Sequence, residues 1–274
     1  MITTGKKEVS EEELRDIEVR MLNEVDSYCR NNQLTYYLFY GTLLGAVRHQ
    51  GFIPWDDDVD IAMPRKDYEK FIRGFQSTDG RYQVVSHLNR RDNYLAWAKM
   101  VDQKTELLED INRPMKLGVY LDVFPLDYLP ADPQIIRRQM TRGRRLYLLT
   151  QTKQVRLSRK RPFYKNLILA AGRALTAAVP YEVIVRKTSE NAQKYNTAKN
   201  PACMAVMVGT CYLPNEVWDI HDFDGTVLLP FEGKKYPVPS GYDHILQVRY
   251  GDYHKLPPVE QQVTHHLFDV YWKE

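Results

Sequence analysis

The run Asp56-Asp57-Asp58-Val59-Asp60 sets four carboxylates within five positions. If Val59 to Met63 is a strand, Asp58 and Asp60 point to one face about 6.7 Å apart. Two carboxylates at that spacing repel by roughly 2.5 kcal/mol at an effective dielectric near 20. Such a pair is stable when solvated or when a divalent cation bridges it. Magnesium suits the second case, because it takes hard oxygen ligands and shares itself with phosphate oxygens. A third acid, Asp122, stands inside Val119-Tyr120-Leu121-Asp122-Val123-Phe124. A carboxylate in an otherwise apolar strand is costly unless it is paired or metal-bound. Upstream, Gly41-Thr42 sits between strand-like and helix-like sequence, where a small residue lets the backbone approach a phosphate and helix N-terminal amides favour an anion. Together these residues point to metal-assisted transfer of a phosphorus-bearing group, with Asp58, Asp60 and Asp122 as catalytic and metal-binding acids. Asp56 and Asp57 are assigned to shaping the loop or to the outer shell of the site, since a bare acidic run is usually solvated.

The elements that must position these residues are readable at coarse grain. Ser10-Glu11-Glu12-Glu13 is a capping box, followed by apolar residues at Leu14, Ile17, Met21, Leu22, Val25 and Cys29, which predicts an amphipathic helix. Leu34 to Tyr40 predicts a strand, Leu43 to Arg48 a short helix, Val59 to Met63 a strand and Lys66 to Phe75 a helix. Further strands are expected at 82–88, 95–101 and 119–124, and helices at 133–151, 162–179 and 181–195. Met204 to Val208 reads as a return to the sheet. A strand pair is expected near 227–229 and 235–237, followed by a helix at 242–250. The whole reads as α+β, a mixed sheet flanked by helices with a helical insertion.

Bulk properties narrow the field. A chain of 274 residues with 43% hydrophobic and 12% aromatic content fits a folded globular protein. Cys29, Cys203 and Cys211 are scattered without a CxxC pair, which argues against a structural zinc site or a disulfide framework and for a reducing cytoplasm. The opening MITTGKKEVSEEEL contains no apolar stretch, so no signal peptide is expected.

The combination of strand, Gly-Thr, helix, Asp-x-Asp and a later strand acid resembles the nucleotidyltransferase fold of the DNA polymerase beta type. More narrowly, Tyr40-Gly41-Thr42-Leu43-Leu44-Gly45-Ala46-Val47-Arg48-His49-Gln50-Gly51-Phe52-Ile53-Pro54-Trp55-Asp56-Asp57-Asp58-Val59-Asp60 is similar to the signature of the LicD family. The resemblance continues through Met63-Pro64-Arg65-Lys66-Asp67-Tyr68-Glu69 and Leu121-Asp122-Val123-Phe124-Pro125-Leu126-Asp127. It returns at Phe231-Glu232-Gly233, Val238-Pro239 and Tyr250-Gly251-Asp252-Tyr253. It implies transfer of a phosphorylated alcohol, typically phosphocholine from CDP-choline, to a sugar of a cell-surface glycan such as teichoic acid, on a lipid-linked acceptor. It also places the metal acids on Asp58 and Asp60, with Asp122 as the third, around one or two Mg2+ or Mn2+ ions. Residues 1–130 would then form the catalytic core, 131–200 a basic helical insertion, and 201–274 a return carrying C-terminal substrate-site motifs. The competing reading is a nucleotidyltransferase that adds NMP from an NTP to an alcohol or an RNA end.

In this scheme Gly41 and Thr42 place the diphosphate, and Arg48, Arg65 and Lys99 bind phosphate oxygens, arginine offering a bidentate fork. Asp122 shares the metal nearest the acceptor or accepts its proton. Choline is a quaternary ammonium that proteins recognise with aromatic faces, and Trp55, Trp97, Tyr120, Tyr250 and Tyr253 are candidates among nineteen tyrosines and four tryptophans. His49 and the pair His265-His266 are weaker candidates for a general base.

Charge distribution adds one expectation. Residues 134–181 hold twelve Lys or Arg and no Asp or Glu, which leaves the rest of the chain at −9 against a total of +3. Within 162–179, Lys165, Asn166, Gly172, Arg173 and Thr176 share one stripe with Leu169, and the remainder is apolar. That pattern fits a buried helix or one lying in a membrane interface. Docking of this segment on an anionic membrane surface, on the inner face of the plasma membrane, is preferred to core packing. Nucleic acid is the least favoured partner.

Overall fold

A computed structural model describes residues 6–273, apart from 91, 110, 113, 159–160, 214 and 265–267. In chain order, α1 (Glu11–Asn32), β1 (Tyr37–Leu38), α2 (Tyr40–Arg48), β2 (Asp60–Pro64) and α3 (Arg65–Gly74) come first. Next are β3 (Tyr82–Val85), β4 (Ala98–Asp102), β5 (Thr105–Glu109) and β6 (Tyr120–Leu129). Three helices follow, α4 (Pro133–Gln154), α5 (Phe163–Thr176) and α6 (Tyr181–Gln193). The chain then runs through β7 (Cys203–Ala205), β8 (Val217–Asp219), β9 (Thr226–Phe231), β10 (Lys234–Pro239), α7 (Tyr242–Tyr250) and β11 (Phe268–Trp272). The α+β reading holds.

The main sheet runs β1-β2-β6-β4-β3, with β7 on the far half of β6 and β8 on β7. It is mixed: β2 and β6 are parallel, while β4 and β7 are antiparallel to β6. Nine of the ten residues of β6 are buried, as an apolar strand at the centre of a covered sheet should be. Two antiparallel pairs stand apart, β9 with β10 and β5 with β11. Strands β5, β8 and β11 were not anticipated, because each is short or mixes charged with apolar residues and owes its pairing to a distant partner.

Helix α1 forms as the capping box predicts: the Ser10 hydroxyl accepts from the Glu13 amide at 3.2 Å while the Ser10 amide donates to Glu13 at 2.9 Å. The helix stops at Gln33, which adopts a left-handed φ of 54°. Its apolar stripe buries Ile17, Met21, Leu22, Val25 and Cys29, each worth about 1.5–3 kcal/mol of burial. Helix α3 packs beside it, Tyr28 meeting Phe71 edge-on at 5.7 Å, and both lie over β6.

Two local expectations are corrected. Strand β2 begins at Asp60, not Val59, so Asp58 precedes the strand and strand alternation does not orient it. Helix α2 starts at Tyr40, so Gly41 and Thr42 form its first turn rather than a turn ahead of it.

Candidate active site

Strand register builds the centre of the site. Parallel pairing sets Asp60 opposite Asp122, and antiparallel pairing on the other side sets Lys99 opposite Asp122. Three charged side chains therefore stand in a row across β2, β6 and β4. Asp58, arriving just before β2, completes a triad: Asp58, Asp60 and Asp122 each bring one carboxylate oxygen within 4.8 Å of the others. Asp56, Asp57 and Asp58 form a second such group, so the two acids assigned to the loop or the outer shell adjoin the triad through Asp58.

The α2 N-terminus holds this acidic loop in place. The Thr42 hydroxyl accepts from the Asp60 amide at 2.8 Å, which leaves its own O–H free to donate. A Cβ on Gly41 would meet Asp56 Oδ2 at 2.5 Å, so only glycine lets that carboxylate lie against the helix. The preceding Tyr40 takes a left-handed φ of 44°, a strained conformation for a non-glycine residue. Its hydroxyl donates to Glu216 at 3.3 Å.

The site is electrostatically unfinished. Burial, then repulsion from Asp58, Asp122 and Asp56, pushes the Asp60 carboxyl well above the usual range, with Lys99 opposing. Asp122 is better served: Trp97 Nε1 donates to Oδ1 at 2.8 Å and Lys99 Nζ to Oδ2 at 2.9 Å. Lys99 itself sits 3.2 Å from the Tyr120 ring centroid. Glu18, on the inner face of α1, is buried with Oε2 lacking a hydrogen-bond partner. Burial, then the charges of Asp58, Asp57 and Asp56, raises its carboxyl strongly as well.

Around the acids lie cations and aromatic rings. Arg48 donates through Nη1 to the Tyr253 carbonyl at 3.1 Å, and its Nε is buried without a partner. Arg249 lies over both Tyr40 and Tyr250, at 5.3 and 5.5 Å from the ring centroids, and its Nε also lacks a partner. Desolvation of the Tyr250 hydroxyl, then the charges of Asp60, Asp56 and Asp58, raise its pKa against Arg249, although the residue as a whole is exposed. Trp97 stacks on Phe124 at 5.4 Å, and Tyr40 meets Phe124 edge-on at 5.3 Å. Trp55 lies edge-on to His49 at 6.4 Å, and burial, then the charge of Arg48, lowers the pKa of the His49 imidazole.

Some expected partners are placed elsewhere. Arg65 does not offer its fork to a phosphate. It makes two buried bonds to Asp127, at 2.7 and 2.6 Å, at the head of α3. Tyr253 gives its hydroxyl to Asp243 and is buried, and the face of Tyr120 is already covered by Lys99. His265 and His266 lie outside the described residues.

The C-terminal third closes on the first motif. Glu232, in the β9–β10 turn, accepts from the Phe52 amide at 3.0 Å and donates its own amide to the Gln50 carbonyl at 3.0 Å. A Cβ on Gly51 would meet Glu232 Oε1 at 2.2 Å, so this turn and the loop before the acids are built for each other.

Similarity to known proteins follows the same span. The family model described as "LicD/FKTN/FKRP, nucleotidyltransferase domain" matches residues 33–166. Over 273 residues the chain is 30% identical to the lipopolysaccharide cholinephosphotransferase LicD of Haemophilus influenzae (strain ATCC 51907 / DSM 11121 / KW20 / Rd), covering 94% of this chain and 97% of that protein. The chain belongs to the LicD family. A 48-residue stretch is also 44% identical to an uncharacterised protein of Rickettsia prowazekii (strain Madrid E), covering 18% of each.

For this LicD protein the donor set matches a hard cation. Octahedral magnesium holds oxygens at about 2.0–2.1 Å, which spaces its ligands by roughly 3–4 Å. Ligand spacings of that size fall inside the 4.8 Å within which the three carboxylate oxygens lie of one another. Glu18 and Arg249 went unnoticed in the sequence. Glu18 was hidden among the many acids of α1; its signal was its place on the apolar stripe between Ile17 and Met21. Arg249 adjoins Tyr250 in the last motif, and that adjacency was its signal.

Proposed function

We propose that this LicD protein transfers phosphocholine, or a similar phosphorylated alcohol, from a CDP-activated donor to a sugar hydroxyl of a cell-surface glycan precursor. The observation that carries the reading is the convergence of Asp58, Asp60 and Asp122 beside Lys99, in a chain aligned nearly end to end with a lipopolysaccharide cholinephosphotransferase. Lipopolysaccharide and teichoic-acid precursors, lipid-linked on the cytoplasmic side, are both acceptors of the required kind. The fold is read as nucleotidyltransferase-like, of the DNA polymerase beta type, because Gly41-Thr42 opens a helix against the strand that bears Asp60.

Asp58, Asp60 and Asp122 would hold one or two magnesium or manganese ions. A bound ion supplies charge neutralisation at the diphosphate and a lowered pKa at the attacking hydroxyl. Lys99 and Trp97 fix both oxygens of Asp122, so its remaining lone pairs face a defined direction. Arg48 and Arg249, each with an unpartnered Nε, bind donor phosphate oxygens. The Gly41 backbone and the Thr42 hydroxyl approach the same diphosphate. Trp97, Tyr250 and Trp55 offer aromatic faces to the quaternary ammonium. The acceptor oxygen bonds to the phosphorus bearing choline, the bond from that phosphorus to the CMP oxygen breaks, and the acceptor proton passes to a cluster carboxylate or to water.

The nucleotidyltransferase reading is favoured by the description of the matching family model. Product analysis separates the two. Incubation with CDP-choline, CTP or ATP and a lipid-linked glycan, read by mass spectrometry, is expected to yield CMP and a phosphocholine adduct. Diphosphate release with a nucleotide adduct would overturn the proposal.

A further inference from the structure

Helix α5 is built inside out. None of its fourteen residues is buried, and its outward flank carries Phe163 (81% exposed), Ile168 (68%), Leu167 (59%) and Leu175 (85%). A surface helix normally turns such a stripe to the core and its polar face to water. Here the polar stripe faces the protein and is bonded there. Asn166 Nδ2 donates to the Ser158 carbonyl at 2.8 Å, and Arg173 Nε donates to the Thr152 carbonyl at 3.2 Å. Arg173 Nη2 reaches the Val155 carbonyl as well. Gly172 lies so close to α4 that a Cβ would meet Thr152 Cγ2 at 2.9 Å. Lys153 on α4 reaches the carbonyls of Thr176 and Val179 at 2.8 Å each and so fastens the far end of α5. The apolar flank is thus held outward by polar bonds.

Charge says what covers it. The 134–181 segment contains twelve bases and no acid. On α4, Arg137, Arg138, Arg142, Arg144 and Arg145 are all exposed. On the 100° wheel they share one outward face with Leu148, while Gln139, Met140 and Gly143 are buried behind them. An apolar flank beside a strongly basic, acid-free helix complements a surface that is anionic at its headgroups and apolar beneath them. No single described helix is long and apolar enough to cross a membrane, and α5 and α6 are bent by 89°. At about 1.5 Å per residue α5 spans roughly 21 Å, short of a hydrocarbon core of about 30 Å.

We propose that α4 and α5 form a peripheral docking surface for an anionic lipid bilayer, with α5 lying in the interface plane and its apolar flank inserted among the headgroups. This stands independently of the reaction proposed above, and its test needs no turnover.

The full-length protein is sedimented with phosphatidylcholine vesicles and with vesicles containing phosphatidylglycerol, at low and high salt. Binding is expected to be at least about tenfold tighter to the anionic vesicles and to weaken with salt. The pair Leu167→Asp and Ile168→Asp, on exposed positions, should abolish binding while leaving the circular dichroism spectrum unchanged. Arg138→Glu with Arg142→Glu should weaken anionic binding without altering the spectrum. Equal binding to neutral and anionic vesicles, or none to either, would overturn the proposal. So would a concentration-dependent dimer that the leucine and isoleucine changes dissociate, because the flank would then be covered by a second copy of the chain.

Discussion

Asp60 is held among like charges, and its behaviour follows from that. Burial and the neighbouring carboxylates disfavour its charged form, so ionising Asp60 in the metal-free protein is opposed by its surroundings. Asp60→Asn should remove catalysis yet stabilise the metal-free fold by about 1 kcal/mol, a rise of roughly 2–4 °C in Tm. Differential scanning fluorimetry in EDTA checks this; a lower Tm would mean that the carboxylate is a structural acceptor. Arg249→Ala should raise KM for the donor by about tenfold, the loss of roughly 1.4 kcal/mol of phosphate binding, with a smaller change in kcat. Steady-state kinetics on CDP-choline decides it. Among single residues, the most legible were Asp58, Asp60 and Asp122, because an acid beside or within an apolar strand is physically anomalous. Arg65 was misread for the converse reason. A basic residue in a motif looks like a ligand until its acid is known, and Asp127 stands 62 positions away in the chain.

At the scale of elements, ion pairs fasten the sheet, the helices and the late hairpin. Asp127 is wholly buried and takes Arg65 on two oxygens and Asn196 on one. Asp127→Ala should cost about 3–5 kcal/mol by stranding the Arg65 charge, visible as a lower urea midpoint. A second cluster joins α1 to β10: Asp26 accepts from Arg30 at 2.9 Å, Tyr36 at 2.8 Å and Lys234 at 3.1 Å. Burial raises the Asp26 carboxyl, but these three partners outweigh it and hold the pKa below the usual value. Its folded pKa is therefore below its unfolded one, so the stabilisation is present above about pH 4 and is lost as pH falls through the folded value. Acid unfolding monitored by tryptophan fluorescence should be shallower for Asp26→Asn than for the wild type, and an identical profile would remove Asp26 from the account. The helices of residues 133–195 and the β9–β10 pair were legible in the sequence. Register was not: nothing local to Lys99, Asp122 or Asp60 announces that three separate strands will align them. The pairing of β5 with β11 joins segments far apart in the chain and was illegible for the same reason.

At the scale of the whole molecule, charge is divided between a basic helical segment and an acidic remainder that contains the site. On the proposed function, the acidic triad would hold a divalent cation and make stability depend on it. Magnesium at a hundredfold its Kd should stabilise the fold by about 2.7 kcal/mol, since the unfolded chain holds no assembled triad. Such a gain is absent if the triad is not the metal site. The role of the triad is decided by the rate of CMP release from CDP-choline in the presence of a lipid-linked glycan acceptor, for wild-type and Asp122→Asn protein, each with magnesium and with EDTA. A loss of about three decades is expected for the variant and for the EDTA-treated wild type, matching several kcal/mol of lost charge stabilisation. Wild-type rates from Asp122→Asn, or from the EDTA-treated enzyme, would contradict it.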